Sequence, residues 1–144
     1  MLIFARHGNT FEANETPRIV GAHEDLPLTK KGEEQARAVG DAIAAAGLKL
    51  KTIVSGPLIR THRFAEIVAE RTGFSGAVRI DERLRELDFG AWSGLSDEEV
   101  AERFGQEALE DWRKHGRPHA ASRWSPSEET VRANLRSLAE SLAG

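Results

Sequence analysis

Residues 51–73 read KTIVSGPLIRTHRFAEIVAERTG, and a change of pattern inside them decides the fold class. Lys51 to Ser55 is a short run with β-branched residues at its centre, the composition of a buried strand. Gly56-Pro57 breaks it. From Leu58 to about Thr72 the spacing predicts a helix: Phe64, Ile67 and Val68 recur on one face, Arg71 adds its stem, and Gly73 supplies the stop. Strand, sharp break and helix make half of a βαβ unit.

Working outward, Thr29 is placed to cap a helix from about Lys30 to Ala46, with Ala36, Val39 and Ile43 on one face and Gly47 beyond its end. Before it, the apolar run Leu2 to Ala5 predicts a first strand, and after residue 73 Ala77 to Ile80 (AVRI) is a weaker candidate. Ser96 with Glu99 forms a capping box for a helix ending near Phe104-Gly105. A shorter helical segment around Ala108 to Trp112 follows, and residues 115–127 (HGRPHAASRWSPS) read as a loop. From Glu128 onward Val131, Leu135, Leu138 and Leu142 line one helical face. Alternating strands and helices predict an α/β fold, a mostly parallel central sheet flanked by helices with right-handed crossovers.

At 144 residues the chain is a single domain by length, 1–144. Its last helix ends at Leu142-Ala143-Gly144, where an α/β chain normally turns into another strand. The expectation is therefore a domain incomplete at its C-terminus, with C-terminal strands absent and an exposed edge that invites homodimerisation. The composition is 40% hydrophobic and 30% charged, with a net charge of -3 and a pI near 6.0. That balance gives no global attraction to nucleic acid or to an anionic membrane. No apolar stretch approaches the roughly 20 residues that span a bilayer, and the start MLIFARHG is wrongly flanked for a signal peptide. Zero cysteines exclude disulfides, thiolate nucleophiles and Cys-ligated zinc, and fit a cytoplasmic location.

In parallel α/β sheets, ligands bind beyond the carboxyl ends of the strands. Arg6-His7-Gly8 lies there after the first run, and residues 55–60 (SGPLIR) lie there after the second. Neighbouring strands would bring Arg6 and Arg60 around His7. Two guanidiniums suit a phosphoryl group, each offering a planar, always charged fork of donors. A neutral imidazole between them can attack phosphorus, and Gly8 lets the backbone approach the ligand closely. Residues 84–94 (LRELDFGAWSG) add Glu86, which Phe89 and Trp92 would partly desolvate, a setting for a general acid. The simpler alternative is an exposed glutamate paired with Arg83 or Arg85.

At these residues the sequence resembles the histidine phosphatase superfamily, the phosphoglycerate mutase-like proteins. IFARHGNT is similar to the family's strand and R-H-G-x-T signature. Residues 18–36 (RIVGAHEDLPLTKKGEEQA) resemble its substrate loop and the helix entry L-T-x-x-G-x-x-Q-A. SGPLIRTHRFAEIVAE resembles S-x-P-L-x-R-A-x-Q-T-A, with Arg63 and Phe64 replacing Gln-Thr, and LRELDFGAWSG resembles L-R-E-x-x-F-G-x-W-E-G. PSEET at Pro126 to Thr130 is a degraded match to P-G-G-E-S. The five segments occur in order over nearly the whole chain.

The resemblance implies a three-layer α/β/α fold and a phosphatase of small phosphorylated metabolites, with mutase chemistry and a non-catalytic phosphate-binding protein as alternatives. By it, His7 is the phosphorylated nucleophile, Arg6 and Arg60 hold phosphate, and Glu86 donates the proton. Gly8, Thr10, Asn14, Val20, Gly21 and His23 fall near substrate-contacting positions. No metal or other cofactor is implied. The family carries a second histidine in an H-G pair after a late apolar strand. His115-Gly116 is the right dipeptide, but it follows a charged segment and precedes PSEET, so it is not the counterpart.

Three other features read as structural. His62, two residues past Arg60, suits a rim or solvated position. His115 and His119 have i, i+4 spacing, but Gly116 and Pro118 break the helix that a zinc pair needs. Trp92, Trp112 and Trp124 read as packing, since no basic stripe runs beside them.

Overall fold

The structure, a computed structural model, describes residues 1–143. The chain gathers into two compact units, one of Met1–Glu15 and Asp25–Arg85, the other of Thr16–Glu24 and Glu86–Gly144. No helix among the described residues is long and apolar enough to cross a membrane.

In the first unit, helix α1 (Lys30–Ala45) begins where Thr29 accepts the Gly32 N–H on its side chain, one of the orphan donors of a helix start. Strand β1 (Val54–Ser55) leads into helix α2 (Ile59–Thr72), which stops at Gly73 in the left-handed conformation. Strand β2 (Arg79–Ile80) pairs parallel with β1, Val54 opposite Arg79 and Ser55 opposite Ile80. Ala36, Phe64, Ile67 and Val68 form the buried core, flanked by Leu28, Val39, Ile43 and Leu50. Gly40 lets the two helices approach: a Cβ there would lie 2.5 Å from the Arg71 Cβ. The Arg71 guanidinium then reaches the Asp41 carboxylate at 2.6 and 2.9 Å, and this bond lowers the Asp41 pKa. Arg71 thus contributes its stem to packing and its head to an ion pair.

One expectation fails here. Residues 2–5 form no strand, and Leu2, Ile3 and Phe4 are 49%, 45% and 77% exposed. A strand exists only through its ladder, and among the described residues β1 has β2 as its ladder partner. The run has the apolar composition of a strand without a strand's pairing. The mixed α/β class stands, with a sheet of two strands among the described residues.

In the second unit, the capping box of Ser96 and Glu99 opens helix α3 (Asp97–Phe104). Helix α4 (Gln106–His115) ends on Gly116, again left-handed, so His115-Gly116 is a helix terminus and its C-cap. Helix α5 (Glu128–Leu142) is capped by Ser127. The core is Ile19, Phe89, Trp92, Val100 and Leu109, surrounded by Leu87, Leu95, Phe104, Trp112 and Trp124. Its aromatic rings meet edge to face, Trp92 on Trp124 at 4.9 Å and Trp112 on Trp124 at 4.7 Å, the arrangement that ring quadrupoles favour. All three tryptophans pack against one another or their neighbours. His119 stacks on Trp92 and bonds the Ser122 hydroxyl through Nδ1 at 2.6 Å.

Candidate active site

Helix α1 carries the segment that holds His7. Gly8 sits against the first turn of α1 so closely that a Cβ on it would lie 2.5 Å from the Gly32 carbonyl oxygen. Gly32 has no more room, because a Cβ there would collide with the Asn9 carbonyl. Asn9 is fastened on both sides: its N–H donates to the Gln35 side-chain oxygen at 2.8 Å, and its carbonyl accepts the Thr29 N–H at 2.9 Å and the Thr29 hydroxyl at 3.1 Å. Arg6-His7-Gly8 is placed by this anchorage on a helix entry, not by a neighbouring strand.

His7 is half-buried and Arg6 exposed. The His7 Nδ1 lies 2.8 Å from the Gly8 carbonyl oxygen. A carbonyl oxygen can only accept, so Nδ1 carries the hydrogen. In the neutral ring the lone pair is then on Nε2. One hydrogen bond thus selects the nitrogen able to act as a nucleophile.

Arg60 stands in the first turn of α2 and is 1% exposed. A guanidinium so removed from water is retained only where hydrogen-bond acceptors meet it. The turn that carries it is held from three directions. The Thr61 hydroxyl bonds the Gly56 and Leu58 carbonyls at 3.1 and 2.8 Å. Gly56 packs on the Leu84 carbonyl, 2.6 Å from where a Cβ would be. Leu58 offers no side-chain cap, and the Ile59 N–H instead donates to the Asp25 carboxylate at 2.7 Å. His62 is not simply solvated: its Nδ1 lies 3.0 Å from the Ser55 hydroxyl and its Nε2 3.5 Å from Glu66.

Glu86 belongs to the second unit and is half-buried. Its carboxylate accepts the Leu87 N–H at 2.8 Å. The arginines considered as its partners bond other carboxylates, Arg83 to Asp81 and Arg85 to Glu82, each at 2.7 Å. Phe89 and Trp92 are buried in the aromatic core. Of the other candidates, Thr10 is half-buried and Asn14 exposed in a turn of the first unit. Val20, Gly21 and His23 lie in the second unit with Glu86. Gly21 is buried, and a Cβ on it would lie 2.8 Å from the Leu87 carbonyl. His23 bonds Asp88 at 3.0 Å. Gly32 and Gln35, at the glycine and glutamine positions of L-T-x-x-G-x-x-Q-A, support the site without being singled out as site residues in the sequence. Asp25, a loop residue near His23 in the sequence, holds the start of α2 through Ile59.

Comparison with known proteins follows the same lines. A family model described as histidine phosphatase superfamily (branch 1) matches residues 2–144. A 2,3-bisphosphoglycerate-dependent phosphoglycerate mutase of Azorhizobium caulinodans is 34% identical over 115 residues, covering 79% of this chain and 55% of its own length. A probable phosphoglycerate mutase GpmB of Salmonella choleraesuis is 47% identical over 85 residues, 59% of this chain and 37% of its own. Among solved structures, a mycobacterial glucosyl-3-phosphoglycerate phosphatase superposes with a TM-score of 0.74 at 31% identity, covering 95% of this chain and 60% of that one. That enzyme has also been solved with inorganic phosphate. The chain spans about half the length of the first of these curated relatives.

Proposed function

The chain belongs to the histidine phosphatase superfamily, branch 1, and from that premise we propose that the protein hydrolyses small phosphomonoesters through a phosphohistidine on His7. Arg6 and Arg60 hold the non-bridging phosphoryl oxygens, as bidentate guanidiniums do. The Nε2 lone pair of His7 attacks phosphorus in line; the N–P bond forms as the ester P–O bond breaks. Glu86 gives its proton to the departing alkoxide. In the second half, the Glu86 carboxylate takes a proton from water, the hydroxide attacks phosphorus, and the P–N bond breaks. Inorganic phosphate leaves, His7 returns to its neutral form, and no metal or other cofactor enters the balance.

The observation that carries this reading is the hydrogen bond from His7 Nδ1 to the Gly8 carbonyl at 2.8 Å. A histidine serving as packing or as a solvated turn has no need of a fixed tautomer; a nucleophile does. Gly8, Thr10, Asn14, Val20 and Gly21 are assigned to the substrate side; His23, also expected near substrate, is instead engaged with Asp88. The domain is read as the three-layer α/β/α arrangement of the superfamily, in a cytoplasmic enzyme that is free to dimerise. Mutase chemistry is the second reading, favoured by relatives named phosphoglycerate mutases. It uses the same phosphohistidine but returns the phosphoryl group to a second hydroxyl instead of water.

The test is rapid acid-free quenching of the protein with a radiolabelled aryl phosphate. An alkali-stable, acid-labile phosphoprotein that disappears in His7→Ala, together with loss of hydrolysis, is the expected outcome. Hydrolysis that survives His7→Ala overturns the nucleophile. Label transferred to phosphoglycerate faster than to water selects the mutase.

A further inference from the structure

We infer that His23 is a positioning residue for Glu86, acting through Asp88. The inference rests on the reading of Glu86 as the proton donor. His23 and residues 86–90 lie in the same unit. The His23 Nε2 donates to the Asp88 Oδ2 at 3.0 Å, while the other oxygen, Oδ1, accepts the Gly90 N–H at 2.9 Å. Both bonds, the Gly90 one first, hold the Asp88 pKa below its ordinary value. An ionised carboxylate accepts only, so the His23 hydrogen is on Nε2.

Around this dyad, the segment that carries Glu86 is gripped from two sides. On one side the Ala22 N–H donates to the Leu87 carbonyl at 2.9 Å, and Gly21 presses its backbone on the same carbonyl, with no space for a Cβ. On the other, Asp88 and Ser125 exchange backbone hydrogen bonds at 2.8 and 2.9 Å. The Glu86 carboxylate itself is oriented by the Leu87 N–H. Its direction therefore follows the tilt of the 86–87 peptide, and that tilt is set by what holds Leu87 and Asp88. The loop arm of the grip is kept in shape by Arg18 and Glu24, paired at 2.6 Å.

The His23 side chain is 81% exposed. A contact so exposed adds little to stability, so global folding does not account for a His–Asp bond spanning 65 residues of sequence. Angular control of a carboxylate two residues away does, because small misplacements of a reacting group are costly to rate. His23 touches no reacting atom in this scheme, and its substitution should leave substrate affinity alone.

The experiment compares His23→Ala and His23→Gln with wild type on two substrates, an alkyl phosphate whose leaving group needs a proton and p-nitrophenyl phosphate, whose leaving group does not. Melting temperatures are recorded for each protein. His23→Ala should lower kcat on the alkyl ester by roughly three- to tenfold, a fraction of the ~10²-fold that an ångström of displacement can cost. KM, the aryl rate and the melting temperature should hardly move. His23→Gln, which keeps an N–H donor for Asp88, should recover most of the loss. A rise in KM on both esters with kcat unchanged, or no change at all, overturns the inference. Glu86→Gln separates this failure from that of the premise. If Glu86→Gln is selective for the alkyl ester and His23→Ala is not, only the positioning role falls. If Glu86→Gln affects both esters equally, the proton-donor reading falls with it.

Discussion

Gly8 and Gly32 face each other backbone to backbone, with a Cβ on Gly8 placed 2.5 Å from the Gly32 carbonyl oxygen. Everything that fixes the His7 segment follows from this contact, because it lets the chain seat itself on the first turn of α1.

The contact reverses an ordinary rule. In an exposed helix, alanine is better than glycine by about 1 kcal/mol. Gly32→Ala should instead destabilise, since the added methyl meets the Asn9 backbone, which has no rotamer to relieve it. Chemical denaturation and phosphatase assays together check this. The expected pattern is a lower denaturation midpoint with activity reduced more than stability. A stabilised, fully active variant would contradict the packing described.

Gln35 is the complementary case. Its side-chain oxygen satisfies the Asn9 N–H, a bond with a net value of about 0.5–1.5 kcal/mol. Gln35→Ala should reduce kcat while the melting temperature falls by only a few degrees. Gln35→Glu, which keeps the acceptor, should retain the bond. The measurement is a pair of steady-state profiles with the corresponding melts.

Trp92 is wholly buried among Phe104, His119 and Trp124. Trp92→Ala removes the largest side chain of that core, and large-to-small changes at aromatic sites cost about 3–5 kcal/mol. Loss of most near-ultraviolet circular dichroism, with a much lower urea midpoint, is expected. Retention of that signal would show that the cluster repacks.

Asp81 supplies a pH dependence with a definite sign. The Arg83 guanidinium, and then the Arg83 backbone N–H, bind its carboxylate and hold its pKa down to about 2, from an ordinary 3.8. A depressed carboxylate pKa gives stability that is present above the unfolded value and disappears as pH falls through the folded one. The stability gap between wild type and Asp81→Asn should therefore be constant near neutrality and shrink between about pH 4 and pH 2. Urea titrations across that range decide it; a gap independent of pH would rule out the ion pair as its source.

Much of the fold was legible wherever the cause is local. Thr29, Ser96 with Glu99 and Gly73 mark helix boundaries through bonds made within a few residues, and those boundaries fall where the pattern puts them; α4 runs on past the expected Trp112 to His115, where Gly116 caps it. The segment Leu2 to Ala5 has the composition of a strand, yet strand formation depends on a partner elsewhere in the chain. Periodicity carries no information about that. At the site the same division holds. The candidates Arg6, His7, Arg60 and Glu86 stand in short motifs, whereas Asp25 beneath Ile59 and Asp88 beneath His23 act across 34 and 65 residues. Only the fold brings such pairs together, and neither leaves a mark in the spacing around it.

The unpaired run before His7 also has a dynamic consequence. Among the described residues, no backbone hydrogen bond reaches residues 2–6, whereas the amide of Asn9 is held by Gln35 at 2.8 Å. His7, the proposed nucleophile, thus stands at a step in amide protection, with fast-exchanging positions before it and a position after it that exchanges only when the α1 entry opens. An anion that docks on His7 and its arginines would couple the two sides of that step. Slowed deuterium uptake at residues 2–6 on addition of inorganic phosphate would then report occupancy of the site directly, without any turnover.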